Sequence, residues 1–291
     1  MTVKEAEICA MPVMNTSTPS FKVPEGAVDA HCHIYGPTSK YPYGKALEYV
    51  PPAVDLADYV RMLDAIGCRH AVLVHAGVYG GDHSIVLDAM AAYPGRFRTI
   101  AVLNEDVTDE TLEQLNAAGV CGFRSNLVSG KGIKLEGSRR LAARVKRFGW
   151  HVQVMFDAET FPDIETAFAD FPTDVVIDHM GRPDPAKGVD APAFQSIIRL
   201  LGTGRVWTKF SAPYRTSRDP KRYRDLAPFA RALIAARPDR IVWGTDWPHP
   251  KVPADEMPDD GELINNVAIW APDAAVQRRI LVDNPKTLYG F

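Results

Sequence analysis

Short segments made almost entirely of apolar residues alternate along this chain with longer amphipathic segments. A short apolar run bounded by turn residues is typical of a strand that is buried on both faces, as in a parallel sheet covered by helices. On this basis the sequence predicts eight strands: Ala27–His31, Ala71–His75, Thr99–Leu103, Cys121–Ser125, His151–Phe156, Val175–Asp178, Val206–Phe210 and Ile241–Trp243.

The segments between these strands carry apolar residues at helical spacing. In Asp55–Ile66, for example, the apolar side chains fall on one stripe, and Gly67 follows where the end of a helix favours glycine. The same pattern predicts helices at Asp55–Ile66, Ser84–Tyr93, Asp109–Ala118, Ser138–Phe148, Phe161–Phe171, Ala193–Leu201 and Tyr223–Ala236, and, after the last strand, at Glu262–Trp270 and Ala274–Val282.

Eight alternations of strand and helix with right-handed crossovers predict an α/β fold, the (β/α)8 TIM barrel. Such a barrel needs about 250 residues, and the chain has 291. We therefore expect one catalytic domain over residues 23–291, preceded by an N-terminal arm over residues 1–22 whose degree of order the sequence does not decide. A doubly wound open sheet is the alternative, but no G-x-G-x-x-G motif follows the first strand, where it would be expected.

Composition narrows the class of protein. With 46% hydrophobic residues, 24% charged residues and a net charge of −3, the chain has a globular composition and no basic surface for nucleic acid. No apolar run approaches the ~18 residues of a membrane span. The four cysteines form no CxxC pair, so neither a disulfide framework nor a thiolate zinc site is expected, and a reducing cytoplasm is the expected location. The oligomeric state stays open.

Histidine and aspartate side chains end three of the predicted strands. His31 and His33 close the first strand, and residues two apart on a strand project from the same face. His179 follows the sixth strand and Asp246 follows the eighth. Because the carboxyl ends of all barrel strands meet at one mouth, these four residues predict an active site. The alternatives are a chance repeat for the histidine pair and a helix N-cap for Asp246.

Cationic side chains follow the same strand ends. Arg124, Arg182, Lys209 and Arg215 predict a substrate that bears a carboxylate, because guanidinium groups bind carboxylates through two parallel hydrogen bonds. The alternative for each one is a surface salt bridge. Weaker candidates, which could bind substrate hydroxyls or simply pack in the fold, are His75, Asn126 and Tyr49.

Three segments carry a resemblance to a known family. Asp29–His33, Ile177–Pro183 and Trp243–Pro250 resemble the amidohydrolase superfamily, and within it the branch that contains 2-pyrone-4,6-dicarboxylate lactonase and the galactarolactone isomerases. The match runs from about Val28 to the C-terminus. The resemblance implies a barrel enzyme that acts on a small lactone bearing a carboxylate.

Metal-dependent members of the superfamily add a histidine after the fifth strand or a carboxylated lysine on the fourth. Here the fifth strand ends at Phe156-Asp157, and the fourth carries Arg124, which cannot form a carbamate because it stays protonated. The resemblance therefore implies that no cofactor is required. The alternative is a weak or adventitious zinc ion held by His31, His33 and Asp246.

Without a metal, hydrogen-bond donors must polarise the lactone carbonyl. We expect His31, His33 and His179 to form the oxyanion pocket, and Asp246, at a solvent-filled mouth, to be the general base. If Asp246 deprotonates a substrate hydroxyl, the lactone ring migrates; if it deprotonates water, the ring is hydrolysed. The residues alone do not decide which nucleophile attacks.

The choice of substrate depends on departures from the resembled lactonase. That relative has a second arginine six positions after the equivalent of Arg124 and a tyrosine on the fifth strand, where this chain has Gly130 and the segment Gln153–Phe156. Fewer cations favour a polyhydroxylated acid with one free carboxylate, since an unpaired buried carboxylate is costly. We therefore expect an aldarolactone, most specifically a galactarolactone, and the resemblance implies an isomerase that converts the galactaro-1,5-lactone to the 1,4-lactone. The alternatives are a lactonase acting on 2-pyrone-4,6-dicarboxylate or an aldonolactone, and a non-catalytic sugar-acid binding protein.

Overall fold

Eight parallel strands form the centre of the part of the chain that the computed structural model describes, residues 6–44, 47, 49–128 and 133–291. Consecutive strands pair side by side, and every predicted strand is present with ends displaced by no more than two residues. This confirms the predicted (β/α)8 barrel. The strands are β1 (Val28–Cys32), β2 (His70–Val74), β3 (Phe97–Val102), β4 (Val120–Asn126), β5 (His151–Met155), β6 (Val175–Ile177), β7 (Val206–Phe210) and β8 (Ile241–Trp243).

The barrel closes between β1 and the segment that follows β8. The N–H of His33 donates to the carbonyl of Trp247 at 2.7 Å, and the N–H of Asp246 donates to the carbonyl of His31 at 2.8 Å. Cys32 and Trp247 form an isolated parallel bridge beside them. These backbone hydrogen bonds exclude an open sheet, and they place Asp246 beside the two histidines of β1.

Helices follow the strands in the expected order. Within the described residues they are α1 (Leu56–Ala65), α2 (Ser84–Ala92), α3 (Asp109–Ala117), α4 (Leu135–Val145), α5 (Ile164–Phe168), α6 (Pro192–Gly202), α7 (Ala227–Ala236), α8 (Asp260–Trp270), α9 (Ala274–Arg278) and α10 (Asn284–Tyr289).

Four of the predicted helices differ from the observed ones. The helix predicted at Ser138–Phe148 begins earlier, at Leu135, and its last residues, Lys146–Phe148, form a 3₁₀ turn. The predicted helix Phe161–Phe171 is only α5, because its N-cap Asp163 lies at φ 45°, outside helical geometry. The helix predicted from Tyr223 begins as a 3₁₀ turn, since Tyr223 also has a positive φ. The last predicted helix, Ala274–Val282, is divided between α9 and a wider turn over Arg279–Asp283, and α10, which follows that turn, was not predicted.

The bottom of the barrel is closed by the C-terminus of the chain. Tyr289 packs in an apolar cluster with residues of the strands, including Val28 and Val176, and its ring lies 5.3 Å from that of His151 at the start of β5. Phe291 stacks near His70 at the start of β2. The cavity of the barrel is therefore reached from the opposite end, where the strands finish.

The described part of the N-terminal arm packs against the barrel. Glu7–Ile8 pairs in parallel with Tyr49–Val50, and the N–H of Ser17 donates to Asp259 Oδ1 at 3.0 Å. Among the described residues no helix is long and apolar enough to cross a membrane. All four cysteines are free thiols.

Candidate active site

A cavity of about 340 Å³ opens at the end of the barrel where the strands finish. Side chains from several strand ends and from the loops after β1, β6, β7 and β8 line it, so it lies where a parallel barrel gathers functional groups. Nine of the residues singled out from the sequence are in its wall: His33, His179, Asp246, Arg124, Arg182, Arg215, Tyr49, His75 and Asn126. His31 and Lys209 lie behind the wall.

Asp246 is the most constrained of these groups. Its backbone has a φ of 63°, a left-handed conformation that aspartate tolerates better than most residues, and its side chain is buried. Oδ2 accepts hydrogen bonds from the Tyr214 hydroxyl at 2.6 Å and from Arg215 Nη2 at 2.9 Å. Oδ1 lies 3.3 Å from His31 Nε2 and 3.5 Å from His33 Nε2.

Electrostatics keep Asp246 ionised. Burial alone would raise the pKa of this carboxyl, but the Arg215 guanidinium and the contacts with His31 and His33 outweigh it and hold the pKa well below the usual range. The sequence-based picture of a base in a solvent-filled mouth is wrong in this respect, because only 1% of Asp246 is exposed. The helix-cap alternative is also wrong, since α8 is capped by Asp259.

Three histidines surround Asp246. The rings of His33 and His179 lie 5.3 Å and 5.0 Å from that of His31. His33 Nδ1 lies 2.8 Å from the carbonyl of Val74, which can only accept, so Nδ1 carries a hydrogen and Nε2 is free to accept one in the neutral ring. Burial lowers the pKa of His33 and, further, that of His179, whose Nδ1 is 2.8 Å from Ser211 Oγ. Both rings are therefore neutral at physiological pH.

Lys209 lies beneath the histidines, fully buried. Its ammonium reaches three acceptors, Gln153 Oε1 at 2.6 Å, His31 Nδ1 at 2.9 Å and Asp178 Oδ1 at 3.2 Å, which matches its three hydrogens. Because Lys209 donates to Nδ1 of His31, we assign the hydrogen of the His31 ring to Nε2, the atom that faces Asp246. This position makes Lys209 a partner of His31 and not a lining residue of the cavity.

Asp178 is a carboxylate that pairs with two cations, Lys209 and Arg124. It accepts a hydrogen bond from Arg124 Nε at 2.9 Å, and it is fully buried. Burial would raise the pKa of Asp178, but Lys209 and Arg124 hold it well below the usual range. Sequence reasoning missed Asp178, although it immediately precedes His179 in one of the three segments that carry the family resemblance.

The other predicted side chains have partners of their own in the wall. Arg182 Nε lies 2.9 Å from Asp157 Oδ1, with 26% of its side chain exposed. Burial lowers the pKa of His75 to about 3, and its Nε2 lies 3.1 Å from the carbonyl of Gly80. The Tyr49 hydroxyl lies 3.0 Å from that of Tyr35, and Asn126 Oδ1 accepts the N–H of Val128 at 3.1 Å. Gly130, on which part of the substrate expectation rests, lies outside the described residues.

Asp29 ties the site together from outside the cavity. This buried carboxylate accepts from the N–H of His31 at 3.1 Å, from the N–H and the hydroxyl of Thr245 at 2.9 and 2.7 Å, and from the Tyr59 hydroxyl at 3.0 Å. Burial raises its pKa to about 6 in spite of these donors. Asp29 therefore joins β1, α1 and the segment after β8, and the position of Asp246 depends on it.

Comparison with known proteins places this geometry in context. A protein-family model described as "Amidohydrolase" matches residues 28–291. A 2-pyrone-4,6-dicarboxylate hydrolase of Comamonas testosteroni is 40% identical, over 94% of this chain and 93% of the relative. A 4-sulfomuconolactone hydrolase of Hydrogenophaga intermedia is 36% identical, over 97% and 94%. A D-galactarolactone isomerase of Agrobacterium fabrum is 29% identical, over 95% of each.

Solved structures agree with these relatives. The apo crystal structure of an Agrobacterium tumefaciens protein, 30% identical, superposes with a TM-score of 0.85 over 94% of this chain and 99% of that one. A probable 2-pyrone-4,6-dicarboxylic acid hydrolase from Acinetobacter baumannii, solved with citric acid bound, is 26% identical with a TM-score of 0.75 over 91% and 100%. The fold and nearly the whole length of the chain are thus shared with lactone-acting proteins.

Two sets of side chains in the described residues could be considered for a metal ion: His31, His33 and Asp246, and His31, Asp178 and His179, each with ligand atoms within 4.8 Å of one another. The first set needs the lone pair of His31 Nε2, which carries the hydrogen because Lys209 donates to Nδ1. In the second set, Asp178 is already paired with two cations. Neither set fits a resident metal ion.

Proposed function

The chain belongs to the amidohydrolase family, and from that premise we propose that this enzyme hydrolyses the ring ester of a small lactone that carries one or more anionic groups. The observation that carries the proposal is the ionised Asp246, set in the wall of a cavity to which cations and histidines also contribute. The relatives named as lactone hydrolases, at 40% and 36% identity, support hydrolysis over ring migration.

The charges of the cavity favour an anionic substrate. Among the described residues of the wall, the charged ones are Arg124, Arg182, Arg215 and Lys251 together with a single carboxylate, Asp246. Each guanidinium can bind a carboxylate or a sulfonate through two donors. An excess of cations in a concave, partly desolvated site attracts such groups and holds them in register.

The residues divide the hydrolytic step between them. Asp246 accepts a proton from water as the water oxygen bonds to the lactone carbonyl carbon, and His33 Nε2 orients that water by accepting its other hydrogen. His179 and the cations of the wall stabilise the negative charge that develops on the carbonyl oxygen. The tetrahedral intermediate then releases the ring oxygen, which takes the proton back from Asp246, so that a single ring-opened molecule with a carboxylic acid and a hydroxyl group leaves; the acid loses its proton to solvent.

Binding of the substrate would also increase the reactivity of Asp246. In the free enzyme the guanidinium of Arg215 stabilises the ionised carboxylate, which makes it a weak base. A substrate carboxylate that pairs with Arg215 competes for the same donors and reduces this stabilisation. The proton acceptor thus becomes more basic when an anionic substrate is in place, which links substrate selection to catalysis.

Ring migration is the second candidate, and Met155 favours it. This residue lines the cavity at the end of β5, on the strand where the resembled lactonase carries a tyrosine that grips its dicarboxylate substrate. A substrate hydroxyl placed where the water would sit attacks the same carbonyl with Asp246 as base. The isomerase relative, at 29% identity, supports this reaction.

An oxygen-labelling experiment distinguishes the two reactions. The enzyme is incubated in ¹⁸O-labelled water with 2-pyrone-4,6-dicarboxylate, 4-sulfomuconolactone and galactaro-1,5-lactone separately, and products are followed by proton NMR and mass spectrometry. Hydrolysis predicts a ring-opened acid with one ¹⁸O atom. A five-membered lactone without label would establish isomerisation instead, and the absence of turnover with all three would contradict the proposed substrate class.

A further inference from the structure

Three polar side chains, Tyr214, His249 and Asp260, form a hydrogen-bonded series that leads from Asp246 away from the cavity. The Tyr214 hydroxyl lies 2.6 Å from Asp246 Oδ2 and 3.1 Å from His249 Nδ1. On its other side, His249 Nε2 lies 3.2 Å from Asp260 Oδ1 and 3.3 Å from Oδ2. His249 and Asp260 are both fully buried, and neither lines the cavity.

The hydrogens of this series can be assigned from its ends. Asp260 is the first residue of α8, directly after the N-cap, where the helix dipole favours a negative charge. Its carboxylate can only accept, so we assign the hydrogen of the His249 ring to Nε2, which leaves a lone pair on Nδ1. Tyr214 then faces two acceptors, Asp246 and His249, with one phenolic hydrogen to give.

We propose that Tyr214, His249 and Asp260 are positioning residues of the reaction, which share one hydrogen with the catalytic carboxylate. While Asp246 is ionised, the phenol donates to Oδ2 and His249 Nδ1 has no donor. When Asp246 takes up the proton of the nucleophile, the phenol turns to Nδ1, and the hydrogen bond that Asp246 loses is recovered by His249. No proton leaves Asp246 along the series; only the phenolic hydrogen changes its acceptor.

This exchange assists the step in which Asp246 must be protonated. A donor fixed on Asp246 would stabilise only the ionised form and so oppose proton uptake, as the Arg215 guanidinium does. A donor with a second acceptor stabilises both forms. Arg215, a charged group near His249, cannot serve as the second acceptor of the phenolic hydrogen. It is itself a donor, bound to Asp246 and to the carbonyl of Pro250.

The series of Tyr214, His249 and Asp260 is also more polar than a purely structural role requires. A buried histidine–carboxylate pair carries a desolvation penalty, and an apolar pair of similar volume would hold the loop as well or better. His249 lies at φ 60°, a conformation that asparagine adopts with little strain, so His249→Asn is a suitable variant. The shorter asparagine cannot reach Tyr214 and Asp260 together.

The kinetic test rests on the role of Asp246 in the proposed function and uses the lactone that the wild type turns over. We expect His249→Asn and Asp260→Asn to lower kcat by about tenfold, less than the ~10²–10⁴-fold that an acid or base itself contributes, with KM unchanged. Because both residues act through Tyr214, neither substitution should lower kcat further in a Tyr214→Phe background. Full additivity, or an unchanged kcat in both single variants, would overturn the proposal. Tyr223→Phe is the matched control, since its buried hydroxyl has no partner in the described residues and should not affect kcat.

A second test needs no substrate. Two-bond ¹H–¹⁵N NMR of histidine reports whether Nδ1 of His249 accepts a hydrogen bond. In Asp246→Asn, whose neutral amide competes poorly for the phenol, the Nδ1 resonance should shift to that of a hydrogen-bonded acceptor; in Asp246→Asn/Tyr214→Phe it should return to the wild-type position. An unchanged Nδ1 resonance in Asp246→Asn overturns the shared hydrogen even if the lactone assay fails, whereas a shift together with an inactive wild type would count against the proposed substrate class alone.

Discussion

Asp246 combines two properties that usually conflict in a catalytic base. It is buried, which disfavours its charge, and it is surrounded by donors that stabilise the same charge. Asp246→Asn keeps the size of the side chain and removes the proton acceptor. We expect kcat to fall by at least about 10²-fold while the substrate still binds, because general base catalysis contributes about 10²–10⁴-fold. Single-turnover kinetics with an equilibrium binding assay measure both, and near wild-type turnover would exclude Asp246 as the base.

The same substitution makes a prediction about stability. A carboxyl whose pKa is depressed in the folded state adds stability above its unfolded pKa of about 3.9, and that stability is lost as the pH falls through the folded value. Wild type should therefore be more stable than Asp246→Asn at pH 7, by about 1–3 kcal/mol for lost charged hydrogen bonds, and the difference should shrink below about pH 4. Urea unfolding at several pH values tests this. A difference that grew on acidification would contradict the depressed pKa.

Substitution of the arginines in the cavity wall should distinguish an effect on substrate binding from an effect on the stability of the fold. Arg182 pairs with Asp157 near solvent, so Arg182→Met should raise KM about tenfold or more and barely change the melting temperature. Arg124→Met should raise KM and also destabilise the protein, because it leaves the fully buried Asp178 with one cation fewer. Arg140→Met, which removes an exposed pair with Glu105, is the control and should change neither. Unchanged KM in both cavity variants would make these arginines structural.

At the level of residues, the sequence predicts the ends of strands better than it predicts partners. His31, His33, His179 and Asp246 could be singled out because each ends or follows an apolar run. Tyr214, Asp178 and Asp260 could not, since their importance depends on which side chains the closed barrel places beside them. Lys209 illustrates the limit: its position at the end of β7 predicted a substrate contact, yet the structure buries it against His31.

At the scale of elements, the junction of β1 with the segment after β8 positions the residues of the candidate active site. Asp29 holds that segment through both the N–H and the hydroxyl of Thr245. Thr245→Val keeps the shape but removes one donor to a buried carboxylate, which should cost about 1.5–3 kcal/mol and lower kcat through displacement of Asp246. Thr245→Ser retains the hydroxyl and should lose far less. Calorimetry with steady-state kinetics makes the comparison, and equal losses in the two variants would show that the methyl group matters instead.

Periodicity predicts the existence of the elements but not where some of them end. The strands were predicted to within two residues because a strand buried on both faces is continuously apolar. The helices near Asp163 and Tyr223 were predicted too long, because apolar spacing continues past residues whose backbone is not helical. Loop geometry, which shapes the cavity, has no comparable signal in the sequence.

For the whole enzyme, the tautomer of His31 bears on the question of a metal. Lys209 donates to Nδ1 and places the hydrogen on the nitrogen that a metal ion would need. Turnover should therefore survive prolonged treatment with chelators, and elemental analysis of active protein should find well under one zinc per chain. Zinc at one equivalent together with chelator-sensitive turnover would contradict this reading. Lys209→Met, if it folds, should bind added zinc more tightly than wild type does.

Long-range charge gives a final prediction for the molecule. The chain as a whole carries a net charge of −3, which repels an anionic substrate, whereas in the described part of the cavity wall four cations face one carboxylate. Whether kcat/KM rises or falls with salt shows which electric field governs association of the substrate, that of the cavity cations or that of the net charge. Ions in solution screen both fields over a Debye length of about 8 Å at physiological ionic strength.

If the cavity dominates, kcat/KM for an anionic lactone should fall as salt rises; if the net charge dominates, it should increase. We expect the fall, since the cations lie within a few ångströms of the bound anion while the net charge is spread over the surface. An uncharged methyl ester of the same lactone is the control and should show no dependence. Arg182→Met should reduce the slope for the anion, and an increase of kcat/KM with salt would contradict an anion-selective cavity.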